Sequence, residues 1–142
     1  MHRSLLCLVT TACLVGACGD DGGPATPVDA QVPDAMPREV ITSTQPLGPG
    51  MLVEGIMTGD PDDLAVIDLS APVAALGWNI HGHANGSTQV IYEEFDKMTV
   101  RYVFVPPGAA DWYLLVRNEG QLNIDVDIRV ELYGDMTWEW QQ

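Results

Sequence analysis

His81 and His83, in the run Trp78-Asn79-Ile80-His81-Gly82-His83, have the spacing with which an extended chain offers two imidazoles to one ion. Residues two apart on a strand point to the same side, roughly 7 Å from each other. Both rings can therefore turn toward a metal at a Zn–N distance of ~2.0–2.1 Å. Glu93 or Glu94, on the strand expected next, would add an oxygen ligand, and imidazole with carboxylate suits copper(II) or zinc. The same pattern also describes two histidines on the polar face near a strand end, hydrogen-bonded or solvated. Trp138 and Trp140 share a face in the same way. They form either an aromatic platform for sugar rings or the closing edge of a core.

Other carboxylates are less pointed. Asp60, Asp62 and Asp63 flank Pro61. They lack the alternating acids, central glycine and distal glutamate of an EF-hand loop, so a solvated turn is expected. Asp125, Asp127 and Glu131, with Arg129 among them, alternate with apolar residues and read as a wet strand face that could receive a partner. The chain has no Gly-x-Ser-x-Gly elbow, no His-Glu-x-x-His and no phosphate loop, so a non-catalytic role is expected.

The elements that must position these residues read as short strands. The clearest is the alternation of Leu122, Ile124, Val126, Ile128, Val130 and Leu132 with Asn123, Asp125, Asp127, Arg129, Glu131 and Tyr133. A period of two gives one buried and one wet face, whereas a helix would scatter the apolar set around its circumference. Shorter strands are predicted over 51–58, 64–70, 74–83, 88–95, 98–105, 112–117 and 136–140, with a hairpin turn at Asp96-Lys97 and a break at Pro106-Pro107-Gly108. Trp78 and Ile80 should face away from the histidines, and Trp112 opposite to Tyr113. The expectation is an all-β fold, an antiparallel β-sandwich of about eight short strands over residues 48–142.

Ahead of that domain, 18–47 is rich in Asp, Ala, Gly and Pro without apolar periodicity, which predicts a disordered linker. At ~3.1 Å per residue such a stalk reaches at most about 90 Å. Residues 1–17 open with Met1-His2-Arg3, continue through an apolar run from Leu5 to Val15, and fall short of the ~20 residues of a spanning helix. The run ends in Leu14-Val15-Gly16-Ala17-Cys18, which resembles the lipobox of bacterial lipoproteins. That resemblance implies cleavage before Cys18, lipidation of its thiol and anchoring to a membrane through two or more acyl chains, stable where one is marginal. It places the protein in the bacterial cell envelope. Gly19 rather than Asp follows the cysteine, which favours the outer membrane, periplasmic or surface-facing, over the inner.

Cleavage would remove Arg3 and leave five basic and twenty acidic side chains, a net of −15 against −14 for the whole chain. Phosphate backbones repel such a molecule, so no nucleic acid partner is expected. Cys7 and Cys13 lie in the leader, so no disulfide supports the domain. A second resemblance covers Val100–Leu132. Tyr102-Val103-Phe104-Val105-Pro106-Pro107-Gly108, Asp111-Trp112-Tyr113-Leu114-Leu115 and Arg117-Asn118 look like the second half of a GOLD-type β-sandwich, or of accessory sandwiches in exported bacterial proteases. It implies an interaction module without catalytic residues. The functional expectation is a lipid-anchored, non-catalytic binding or structural module for a protein or glycan, with a copper- or zinc-handling lipoprotein using His81 and His83 as the alternative.

Overall fold

A computed structural model describes residues 34–84 and 86–141. The expected leader, the expected lipidation site Cys18 and the expected linker up to residue 33 lie outside the described residues. Nine strands follow one another: β1 (Glu39–Leu47), β2 (Leu52–Gly59), β3 (Leu64–Ser70), β4 (Leu76–Ala84), β5 (Ser87–Lys97), β6 (Thr99–Phe104), β7 (Ala110–Asn118), β8 (Ile124–Tyr133) and β9 (Thr137–Trp140). They form a four-stranded sheet ordered β1-β8-β3-β6 and a five-stranded sheet ordered β5-β4-β7-β2-β9. Every pairing is antiparallel, and no helix occurs among the described residues. The antiparallel sandwich expected from the alternation is the fold observed.

The core lies between the sheets and is built by that alternation. From β8, Ile124, Val126, Ile128, Val130 and Leu132 are all buried, while Asp125, Asp127 and Arg129 are exposed. They face Trp78 and Ile80 of β4, Met57 of β2 and Trp112, Leu114 and Val116 of β7, joined by Ile67 and Phe104. Strand residues with β-branched or aromatic side chains suit this half-buried pleated surface. Trp112 is buried and Tyr113 turns outward, as the sequence predicts. Leu122, by contrast, is 72% exposed and precedes β8 instead of opening it.

Two expectations change. The linker does not extend to residue 47, because Glu39–Leu47 is strand β1, paired with β8 along its whole length. Its inward positions include Ser43 and Gln45, which bond to each other (Gln45 Nε2 to Ser43 Oγ, 2.7 Å), so apolar alternation is hidden there. Pro46 is tolerated because β1 is an edge strand. The second change concerns Asp96-Lys97, which does not join a hairpin. β5 pairs with β4 and β6 with β3, so the chain crosses between sheets at this point. Asp96 has φ 54° within an irregularity of β5 between the pairs Leu76–Lys97 and Trp78–Glu94. A bulge adds twist and bends its strand, which redirects the chain toward the other sheet.

The two poles of the sandwich are held differently. At one, Arg38 donates through Nη1 to the carbonyls of Asp135 (3.2 Å) and Met136 (2.9 Å), tying the start of β1 to the β8–β9 turn. At the other, the loops 48–51, 71–75 and 119–123 meet through Gly50 N to Asn118 O (2.9 Å) and Glu119 N to Ala75 O (2.7 Å).

Candidate functional site

A trough of about 700 Å³ lies on the outer face of the four-stranded sheet. Its floor takes three consecutive residues from each of four strands: 42–44 of β1, 127–129 of β8, 68–70 of β3 and 99–101 of β6. Register explains why these twelve meet. Thr42, Arg129, Asp68 and Arg101 are cross-strand partners in one row, and Thr44, Asp127, Ser70 and Thr99 in the next. Within each triplet the middle residue faces the core, so the outward side chains are short hydroxyls beside charged ones. A volume of this size falls in the ordinary range for ligand sites.

The charged row is cross-linked before any ligand arrives. Arg101 Nη1 donates to both carboxylate oxygens of Asp68 (2.9 and 3.0 Å). Arg129 Nη1 lies 3.7 Å from Asp68 Oδ2 and also pairs with Glu131. Tyr133 Oη donates to Glu131 Oε2 (2.8 Å). That bond, with Arg129 beside it, holds the Glu131 carboxyl below the usual carboxylate range. In the second row Thr44 Oγ1 donates to Asp127 Oδ1 (2.6 Å). Such links fix the directions of donors and acceptors, so little side-chain freedom is left to lose on binding.

The histidine pair lies on the other outer face. His81 of β4 is cross-strand to Tyr113 of β7, and Tyr113 to Ile56 of β2, next to Glu54. The His81 ring stacks on Tyr113 (5.2 Å between centroids, 14° between planes) and meets His83 edge-on at 5.1 Å. His81 is only 6% exposed. Its Nδ1 lies 2.8 Å from Asn79 Oδ1 and its Nε2 3.4 Å from Glu54 Oε1. Glu93 is paired with Asn79 rather than with His81, which opposes Val90, so the expected third ligand stands elsewhere. Among the described residues no three His, Cys, Asp or Glu side chains converge as a metal group. The arrangement seats one nearly buried imidazole between an amide, a carboxylate and an aromatic face.

Burial lowers the His81 pKa below the usual histidine value, and the neighbouring His83 adds to this, against the opposing pull of Glu54. A base whose folded pKa is depressed takes up its proton more readily when unfolded. Stability is therefore expected to fall as pH drops below about 6.5, before the carboxylates titrate. Chemical denaturation from about pH 8 to about pH 5 should show this slope in the wild type. His81→Gln should flatten it, and an unchanged slope in the variant would locate the titration in another group.

Trp138 and Trp140 close the core edge and do not form an exposed platform. Both are half-buried against the core, edge-on to each other at 5.1 Å and 90°. The Trp138 ring lies over Gly55. Its Nε1 is buried and meets no acceptor among the described residues, the opposite of a ring offering its polar edge to a sugar. The acidic turn also differs from the solvated one expected. Asp63 is 7% exposed and accepts from the backbone N–H of Asp60 (2.9 Å) and of Asp135 (2.6 Å), joining the β2–β3 and β8–β9 turns. Asn118, not singled out by pattern, is fully buried. It donates to Leu47 O (2.9 Å) and Leu122 O (2.7 Å) and accepts from Gly120 N (2.8 Å). The signal available for it was its place ahead of Glu119-Gly120, since an asparagine side chain commonly bonds the backbone two residues on. No protein-family model matches the chain, and no curated protein matches its sequence.

Proposed function

We propose that this protein is a lipid-anchored module of the bacterial cell envelope that binds a polar ligand without transforming it, and that its ligand seat is the trough of the four-stranded sheet. The observation that carries the reading is that trough: about 700 Å³ with outward groups of four strands aligned in two rows. The anchor rests on Leu14–Cys18, and the outer membrane is its proposed site through Gly19. With an acidic balance of −14 the partner is neither a nucleic acid nor an anionic lipid face, which leaves a protein or a glycan.

The test uses the full-length chain produced in a bacterium. Fatty-acid labelling and membrane retention are expected in the wild type and lost in Cys18→Ala. With the wild type immobilised, envelope extract should leave bound protein or polysaccharide. Substituting Asp127 and Arg129 together by alanine should reduce that material at least tenfold. Both side chains are exposed, so losing their surface pairs should cost no more than about 1 kcal/mol apiece and leave the domain folded. Undiminished retention with the trough altered would refute the seat, and a soluble, unlabelled wild type would refute the anchor.

A further inference from the structure

Resting on the reading of the trough as a ligand seat, we infer that its ligand is an uncharged oligosaccharide segment, laid across the four strands and held by hydrogen bonds rather than by stacking. Charge narrows the class first. Two guanidiniums (Arg101, Arg129) stand against two carboxylates (Asp68, Asp127) on the floor. Glu131, paired with Arg129, makes the surroundings negative, as does the chain's net charge of −14. A polyanion gains nothing from such a floor, and its approach is opposed at long range. No unpaired carboxylate is singled out there for a cation, because Asp68 already faces both arginines and Asp127 already accepts from Thr44.

Hydrogen-bonding capacity narrows it further. Thr42, Thr44, Ser70 and Thr99 each bring a hydroxyl that both donates and accepts, set among acceptor-only carboxylates and donor-only guanidiniums. Alternating donors and acceptors on a rigid floor match a chain of vicinal hydroxyls. An extended peptide would need one of two other things. One is a free backbone edge, which this sheet offers along β1 and β6 at the borders of the trough and not on its floor. The other is an apolar pocket for a side chain, and all eight outward side chains of the floor are polar. With strands ~4.8 Å apart, the floor is roughly 14 Å from the first strand axis to the fourth, which is the span of a short oligosaccharide. No aromatic ring lines it, so single-site affinity is modest. Many anchored copies on one surface would supply the rest by avidity.

The detergent-solubilised full-length chain, titrated with neutral glucan, galactan and mannan oligosaccharides, with uronic-acid oligomers and with extended polar peptides, tests this. At least one neutral oligosaccharide should bind saturably. Asp127→Ala or Arg129→Ala should weaken it at least tenfold while the domain still unfolds in one cooperative transition, and Glu139→Gln on the opposite sheet should leave it unchanged. Binding of uronic-acid oligomers alone, of no oligosaccharide, or of a neutral one indifferent to both trough substitutions overturns the inference. Saturable peptide binding abolished by the same substitutions also overturns it, while leaving the trough as the ligand seat. Envelope material retained equally by the doubly substituted trough removes that seat as well, so the two failures are told apart.

Discussion

Gly55→Ala is expected to destabilise the domain by about 3 kcal/mol, although it adds one methyl group. Gly55 is buried in β2, and an added Cβ would fall within the Trp138 ring, overlapping Cζ2 and Cη2 and only 2.9 Å from Cε2. The neighbour that would have to move is a rigid indole on the short closing strand β9, wedged against Trp140 and the core. The methyl group therefore either displaces Trp138 into solvent or parts β9 from β2. Urea unfolding would report the loss, and a red shift of tryptophan emission would report the exposed ring. Adding Gly55→Ala to Trp138→Ala should cost far less than it does in the wild type, because the clash is gone. Equal costs in both backgrounds would show that the ring is not what makes glycine necessary.

Asn118→Leu is expected to cost about 3 kcal/mol, because it leaves two carbonyls and one N–H without their partner, the Leu47 carbonyl fully buried and the other two groups partly so. Leu47 O, Leu122 O and Gly120 N all depend on this one amide. Through them the side chain joins the end of β1, the end of β7 and the loop leading into β8, which otherwise meet only by backbone bonds. Asn118→Asp keeps the acceptor and removes both donors, so it should be nearly as costly at neutral pH. A loss below about 1 kcal/mol for either substitution would mean that the loop re-forms its bonds without the amide.

The fold was legible where a physical period was present. β8 displays one uninterrupted alternation because one of its faces looks at the core and the other at solvent. β1 has the same two faces, but Ser43 and Gln45 satisfy each other on the inner one and leave only Ile41 and Leu47 to mark it. Its proline and polar content then reads as linker. The crossing at Asp96 was illegible for another reason. A residue able to take positive φ marks a tight turn and a strand bulge alike, and only pairing partners tell them apart. The trough is the extreme case, since its residues run from Thr42 to Arg129 and meet through register alone. The strand order that aligns them leaves no mark in the local sequence. His81 and His83 were visible for the converse reason, being two apart on one strand, yet what stands at His81 Nε2 is Glu54 of β2, two strands away across the sheet and beyond the reach of any local spacing.

Nine cross-strand pairs join β1 to β8 along the whole of β1. Tension applied along β1 from its amino-terminal end would shear that ladder at once instead of unzipping it rung by rung. Arg38 adds a clasp at the first rung. Since β8 adjoins β3, and β3 adjoins β6, a load between a held amino terminus and anything gripped on that sheet travels within a single layer and spares the hydrophobic interior. A pull along β1 is thereby borne first by the paired strands of one sheet.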